Sequence, residues 1–361
     1  MSVKVRPVCS GSWEVDIHTV LPDGTRHRDR KRILVSSKSA AVRWGQERER
    51  WLLSKGLPRV AREEEVPTLE EFVPRFLDNY TRADRHKPSG IAAKESHLRV
   101  HLVPLFGKKR LAAISSEDVQ MLKGGLGSKA PKTVNNVLST LNQVLKIAVE
   151  WGVIDSVPCK SKHLRVPRSS MPFHDFDECE RLVKAASEID RNTYLIVLLG
   201  AEAGLRCGEM MALEWSDLDE RGYLSVERSE WKGHVTVPKG GRSRRLRLTA
   251  QLKEALRQHR QLQSSRVLCT DNGASLTQKM VRNRVRWAER RAGLSHKGVH
   301  ALRHTFCSHL AMRGATAKQV QELAGHENLS TTLRYMHLSP EAVASAIQLL
   351  DQPAPVWAVE S

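Results

Sequence analysis

The chain has 361 residues, 40% of them hydrophobic, and carries 58 lysines and arginines against 40 acidic residues, a net charge of +18. This length exceeds one typical domain, so two or three domains are expected. No apolar run approaches a membrane span and no apolar leader opens the sequence, which favours a cytoplasmic protein without membrane contact. The six cysteines form no C-x-x-C pair, so disulfides and a zinc ribbon are not expected.

The excess of positive charge is spread along the whole chain and is not confined to one tail. Every segment can therefore face a polyanion, and nucleic acid is the leading candidate partner. A basic surface without a special role is the alternative that charge alone leaves open.

Residues 1–60 are predicted to form a small module of strands and one helix. Residues 13–18 alternate apolar and polar side chains, as a half-buried strand does. A strongly basic run at 26–32 leads into the next apolar residues, and a helix is expected from Ser36 or Ser37 to about Lys55. A short sheet with a cationic strand suits DNA, whereas a stabilising appendage is the structural alternative.

Residues 67–157 are predicted to be a four-helix unit. A capping box begins its first helix at Thr68, and its clearest helix runs from about residue 131 to 151 with a continuous apolar stripe. The opposite face of that helix carries Lys132 and Asn136, which suit hydrogen bonds to DNA bases or phosphates. A solvent-facing surface is the alternative.

Residues 158–172 are basic, bounded by prolines and without periodicity, which predicts an interdomain linker. From residue 173 to 350 helices are expected to surround a small sheet, and residues 351–361 form a tail. The predicted strands of that sheet are 222–230, 234–238 and 244–248. The fold class predicted for the chain is therefore mainly α with small β-sheets.

One group of polar residues is a poor candidate for the core. His300, Arg303, His326 and Tyr335 follow one another near the C-terminus, and Arg206 lies upstream after a glycine break. Guanidinium groups bind phosphate oxygens bidentately and stay charged at any working pH. A phenol attacks at neutral pH only with a base or a strong positive field nearby. This combination predicts a site for phosphodiester transfer.

This order of residues resembles the tyrosine recombinase (phage integrase) family, whose active site is Arg…Lys…His-x-x-Arg…His…Tyr. The resemblance implies that Tyr335 is the nucleophile and that Arg206, Arg303 and His326 bind the phosphate. His300 corresponds to the family's first histidine, a hydrogen-bond donor and a candidate base toward Tyr335.

Further roles follow from the same resemblance. Lys239 corresponds to the lysine that protonates the departing 5′ hydroxyl, with Lys232 as a rival, and Glu209 is expected to orient Arg206. Backbone contacts with DNA are expected from Arg242, Arg244 and Arg245.

A metal site is not expected, although His300 and His304 have a spacing that suits one. The metalloprotease pattern needs a glutamate where Ala301 stands, and no clear third ligand follows. His304 is interpreted as a buried packing or hydrogen-bonding histidine. No nucleotide-binding loop occurs and a covalent phosphotyrosyl link conserves bond energy, so no cofactor is expected.

The resemblance implies a site-specific recombinase that joins DNA through a 3′-phosphotyrosyl intermediate and a Holliday junction, integrating or excising a phage or genomic island. Its modules would be an arm-type DNA-binding domain, a core-binding (SAM-like) domain and a mixed α+β catalytic domain. The partners implied are duplex attachment sites, a homo-tetramer, and accessory DNA-bending or directionality proteins. The protein would be nucleoid-associated when bound.

A helix after Ser339 would dock on a neighbouring subunit or pack on its own domain. Three other functions are weighed against recombination. A type IB topoisomerase shares the chemistry, a catalytically silent regulator shares the scaffold, and a metal-dependent nuclease would need clustered carboxylates that the sequence lacks.

Overall fold

The computed structural model describes residues 3–9, 12–20, 24, 26–55, 66–167, 171–238, 240–241, 243–261 and 263–337. The predicted site residues Lys239 and Arg242 lie outside these ranges, as does the helix expected after Ser339. The chain divides into two units, residues 1–86 with 90–166 and residues 87–89 with 167–361. Among the helices that the structure describes, none combines the length and apolar character needed to cross a membrane.

The N-terminal module is a three-stranded antiparallel sheet with one helix. Its strands, in the order β1-β2-β3, are Val3–Cys9, Ser12–Val20 and Arg26–Leu34, and α1 is Lys38–Lys55. Because side chains alternate along β2, Val15 and Ile17 are fully buried and share a core with Ala41 of α1. The strand predicted at residues 13–18 is confirmed, whereas β1 was missed.

The face of this sheet away from α1 is cationic. Residues of β3 that turn toward the helix include Asp29, which pairs with Arg48 of α1 at 3.0 Å. The alternate positions Arg26, Arg28, Arg30 and Arg32 therefore point the other way, and all four are exposed. On the same face, Asp16 accepts hydrogen bonds from Arg28 at 2.5 Å and Arg30 at 3.3 Å and offsets part of the charge.

Four helical rods build the rest of the first unit. The first is α2, Leu69–Phe76, continued to Arg82, and the second is α3, Pro88–His97, continued through Leu102 into α4, Val103–Phe106. The others are α5, Ser116–Gly125, and α6, Pro131–Glu150. The predicted capping box is present, since Thr68 Oγ1 accepts the Glu71 N–H while the Glu71 carboxylate accepts the Thr68 N–H. The apolar stripe of α6 fills the shared core, as its periodicity indicated.

The first half of the predicted linker is packed onto this helical unit. Asn135 of α6, almost fully buried, donates to the carbonyl of Leu164 at 2.9 Å and accepts the Leu164 N–H at 2.7 Å. Ser161 donates to Asn142 at 2.6 Å, and Cys159 is part of the core. Residues 158–166 therefore belong to the first unit, within the segment predicted to link the domains.

We expect Asn135→Ala to destabilise the first unit by about 2 kcal/mol, because it leaves two backbone groups of Leu164 without their partner. The neighbouring exposed residue provides the control, since Asn136→Ala should change stability by less than about 0.5 kcal/mol. Urea unfolding of the full chain measures the stability of both variants, and hydrogen exchange of the α6 amides measures the local effect. Equal losses in the two variants would contradict the assigned role of Asn135.

The second unit is mostly helical. Its helices are α7 Phe176–Ser187, α8 Arg191–Ala201, α9 Cys207–Ala212, α10 Ala250–His259, α11 Gln278–Arg291, α12 Val299–Met312, α13 Ala317–Ala324 and α14 Leu329–Met336. Helix α8 is buried nearly all round and lies at the centre, packed against α7, α10, α11 and α12. This arrangement places the N-terminal half of α12 at the core, where its side chains are held rigidly.

The predicted small sheet is two separate antiparallel pairs of strands. Strand β4, Tyr223–Val226, pairs with β7, Arg244–Arg247, and β5, Ser229–Trp231, pairs with β6, His234–Thr236. The single strand predicted at 222–230 is interrupted where Arg228 turns to Glu214 at 3.0 Å and Asp217 at 2.7 Å. The fold class predicted for the chain, mainly α with small sheets, is confirmed.

Candidate active site

A cavity of about 350 Å³ in the second unit gathers five of the predicted catalytic residues. It is lined by Met171, Arg206, His300, Arg303, His304, His326, Glu327, Asn328, Thr331, Arg334 and Tyr335. Met171 precedes α7, and the other residues come from the loop before α9, from α12, and from the segment between α13 and the end of α14. Residues far apart in sequence are thus brought to one concave, cationic surface.

Arg206 is held by the start of α9 and by the loop after α13. The chain reaches it through Gly204, whose φ of 61° and contact with the Phe306 ring leave no room for a side chain. The Arg206 guanidinium donates to Glu209 Oε1 at 2.7 Å and to the carbonyl of Gly325 at 3.2 Å. Glu209 also accepts the Arg206 N–H at 2.9 Å, so it fixes both the backbone and the side chain of this arginine.

Arg244 is a buried partner of Glu209, contrary to the expectation that it binds the DNA backbone. Its guanidinium donates to Glu209 Oε2 at 2.8 Å, and its side chain is only 6% exposed. Burial alone raises the pKa of the Glu209 carboxyl, but the bond from Arg244 and the charge of Arg206 lower it to about 2. Arg245, by contrast, is exposed, pairs with Asp219, and stays a predicted DNA contact.

Arg303 is almost fully buried and spans the site from α12. It donates to the carbonyl of Gly204 at 2.5 Å and to that of Ala324. Burial and the nearby charge of Arg206 lower its pKa to about 10, which still leaves it charged at neutral pH. Arg206 and Arg303 therefore both end on the short turn that directly precedes His326.

His326 is fixed by a residue that the sequence did not single out. Its Nδ1 lies 2.9 Å from the hydroxyl of buried Thr332, and its ring is nearly parallel to that of Tyr335, with centroids 6.1 Å apart. Burial and the charge of Arg303 lower the pKa of His326 to about 3, so the ring is neutral. The sequence could have indicated Thr332 by its position three residues before Tyr335, which puts the two side chains on one face of α14.

Tyr335 is buried, and its hydroxyl lies 2.6 Å from Nδ1 of His304. Burial, with the adjacent thiol of Cys307, raises the pKa of the phenol. Burial and the charge of His300 lower the pKa of His304 to about 4. The interpretation of His304 as a hydrogen-bonding histidine is confirmed, but its place is not in the core apart from the site, because it lines the cavity and contacts the predicted nucleophile.

Lys239 itself lies outside the described residues, so its role stays a prediction. Its neighbour Gly240 is described, and a Cβ there would lie 3.4 Å from the side chain of Glu327, which lines the cavity. The rival, Lys232, is at the β5–β6 turn and lies over the Trp231 ring at 5.1 Å, beside a different cavity.

Two further predictions concern metal and DNA contacts. Within the described part of the chain, no group of three or more histidine, cysteine or acidic side chains could hold a metal ion. Lys132 and Asn136 of α6 are exposed, and their contacts with DNA stay predictions.

Comparisons with known proteins agree with this architecture. The profile described as "Phage integrase family" matches residues 172–342, and "Phage integrase, N-terminal SAM-like domain" matches residues 68–122. The "Tyrosine recombinase XerC" of Thermodesulfovibrio yellowstonii is 30% identical over 246 residues, which cover 66% of this chain and 79% of that protein. The "Tyrosine recombinase XerC-like" protein of Caldanaerobacter subterraneus subsp. tengcongensis is 28% identical over 329 residues, 79% of this chain and 83% of that protein.

Solved structures show the same fold. A lambda integrase dimer bound to a COC′ core site superposes with a TM-score of 0.61 and 19% identity over 93% of this chain and 94% of that one. The Tn1549 transposon integrase in complex with circular intermediate DNA gives a TM-score of 0.65 and 19% identity over 78% and 99%. The fold and the site place this protein in the class of integrase-fold enzymes with an α+β catalytic domain. The chain belongs to the tyrosine recombinase (phage integrase) family and is a site-specific DNA recombinase.

We expect Arg244→Met to destabilise the second unit by about 3 kcal/mol, because it leaves a buried carboxylate with one of its two cations. Arg245→Met should cost less than about 1 kcal/mol, since its ion pair is exposed. Thermal unfolding of the two variants in one buffer makes the comparison. A loss for Arg245→Met as large as for Arg244→Met would show that burial does not distinguish these neighbours.

Proposed function

We propose that Tyr335 attacks the scissile phosphate of duplex DNA and forms a 3′-phosphotyrosyl bond while the 5′ oxygen leaves. The observation that carries this proposal is the convergence of Arg206, Arg303, His326 and Tyr335 on one cavity. Both arginines can hold non-bridging oxygens, where charge develops in the transition state. Since both are anchored to the turn at residues 324–325, they are oriented before substrate arrives.

Two histidines and the turn at Lys239 complete the proposed site. His300 and His326 donate hydrogen bonds to the phosphate, and Lys239 protonates the departing 5′ oxygen. A 5′ hydroxyl from the partner duplex then attacks the phosphotyrosine and reverses the step. Two such exchanges make and resolve a Holliday junction, and the covalent link conserves the bond energy without a nucleotide cofactor.

We propose that the enzyme works as a homo-tetramer on DNA and integrates or excises a phage or genomic island. A lambda integrase tetramer bound to a Holliday junction shares the fold, with a TM-score of 0.57. Accessory DNA-bending or directionality proteins belong to the same proposal, as does a nucleoid location when the protein is bound.

A nicked duplex carrying an attachment site, selected from random sequence by binding, tests the chemistry. The nick lets the released 5′ fragment diffuse away, so wild-type protein should accumulate as a covalent adduct that survives boiling in detergent. Tyr335→Phe should form none, whereas Tyr194→Phe should react like wild type because Tyr194 lies on α8 and packs against the core. EDTA should leave the rate unchanged.

Other outcomes have distinct meanings. No adduct with wild-type protein would favour a silent DNA-binding regulator. Adduct formation by Tyr335→Phe would remove Tyr335 as the nucleophile. Relaxation of supercoiled plasmid without preference for sequence would favour a topoisomerase.

We further propose that the N-terminal sheet binds DNA through the cationic face of β3. Each arginine that contacts a phosphate releases about 0.9 counterion, which sets the salt dependence of binding. Replacing Arg26 and Arg32 with glutamine should therefore lower the slope of log K against log salt by about 1.8 for the cognate arm-type duplex. Arg43→Gln on exposed α1 is the control, and an equal change there would contradict the assignment of this face.

A further inference from the structure

His304 is the residue whose position fits its expected role least. It follows Arg303 on α12, lines the catalytic cavity, and places Nδ1 2.6 Å from the Tyr335 hydroxyl. Its ring also meets His300 edge-on, with centroids 4.6 Å apart. No role in phosphate binding was assigned to it, yet it makes a direct polar contact with the proposed nucleophile.

We propose that His304 is a further catalytic residue, the base that takes the proton of Tyr335 during attack. This inference rests on the proposed function of Tyr335. As the Tyr335 Oη–phosphorus bond forms, the phenolic proton moves to Nδ1 of His304. The bond from phosphorus to the 5′ oxygen breaks with its electron pair, and that oxygen takes a proton from the general acid. In the rejoining step the imidazolium of His304 returns its proton to Tyr335.

The geometry suits a base. A phenol has one proton to donate, and at 2.6 Å the Nδ1 atom is within the range of a strong hydrogen bond. With Nδ1 accepting, the ring proton of neutral His304 is on Nε2. His326 has a different arrangement, because its own Nδ1 is engaged by Thr332 and its ring lies parallel to the tyrosine. The two histidines therefore contact Tyr335 in different ways and have separate tasks.

Because of its electrostatic surroundings, the basicity of His304 depends on whether substrate is bound. The charged and titratable groups that act on His304 and the Tyr335 hydroxyl are His300, Arg303, Cys307, His326 and Arg334. Burial and the charges of His300, Arg303 and Arg334 hold the pKa of His304 at about 4 in the free protein, so the ring is unprotonated at neutral pH. A phosphodiester in the cavity adds a negative charge beside the arginines. That charge raises the basicity of His304 at the moment the nucleophile is needed.

Single-turnover adduct formation on the nicked duplex, at saturating protein, tests the proposal. His304→Ala should slow adduct formation by about 10²- to 10⁴-fold with an unchanged Kd for DNA, the range typical of a lost general base. Added imidazole should restore part of the rate, and the restored rate should rise with the fraction of neutral imidazole. His234→Asn, an exposed histidine of the same unit, should react like wild type.

Two further arms separate proton transfer from positioning. His304→Asn keeps a hydrogen-bond acceptor but no base, so it should be as slow as His304→Ala; a rate near that of wild type would mean that His304 only positions Tyr335. A duplex with sulfur in place of the 5′ bridging oxygen needs no acid for departure. His304 variants should stay slow on it, and full recovery would assign His304 to the leaving group instead.

The failure of this inference differs from failure of the proposed function. If wild-type protein forms the adduct and His304→Ala matches its rate within threefold, His304 is not the base, while Tyr335 keeps its role. If wild-type protein forms no adduct on any selected duplex, both proposals are overturned.

Discussion

The sharing of one buried carboxylate by two arginines is the interaction on which the catalytic unit depends. Glu209 binds Arg206 and Arg244 directly, and Arg303 lies within the same field. Three guanidinium groups against one carboxylate leave a net positive charge in a place where water is largely excluded. Such a charge is costly unless an anion joins it. The fold therefore holds a site whose electrostatic balance is completed by a phosphate.

The hydrogen bonds that orient the arginines add to this electrostatic constraint. Besides the ion pair of Arg206 with Glu209, Arg206 and Arg303 donate to backbone carbonyls at residues 324–325 and 204. Carbonyl oxygens accept hydrogen bonds without neutralising a positive charge, so these bonds orient the arginines and leave their charge unchanged. The left-handed turn at Gly325 brings those carbonyls and His326 into one place, with Arg244 packed 3.1 Å from where a Cβ would lie. Loss of this turn would disturb both arginines and His326 together.

Much of this arrangement could be predicted from sequence, because some patterns are local. The apolar stripe of α6, the capping box at Thr68 and the motif around His300 and Arg303 each require only neighbouring residues. The residues missed were those whose partners are distant in sequence. The hydrogen bonds between Asn135 and the backbone of Leu164 join positions 29 residues apart, and no periodicity in the sequence indicates them.

Two predictions about the site were wrong, and the periodicity of the strand and helix concerned would have corrected both. Side chains alternate along strand β7, so Arg244 and Leu246 point inward while Arg245 points outward. The prediction that both arginines contact the DNA backbone was therefore wrong. On α12, positions 300, 303, 304 and 307 share one helical face. A histidine at 304 must therefore lie near the cavity if His300 and Arg303 do.

The position of His304 also explains how a buried phenol can remain unreactive until DNA arrives. In the free protein burial raises the pKa of Tyr335, and the surrounding cations keep His304 weakly basic, so the phenol keeps its proton. A bound phosphodiester pairs with Arg206 and Arg303 and weakens their effect on the histidine. The same charge that the arginines require thus activates the base, which couples attack to occupancy of the site.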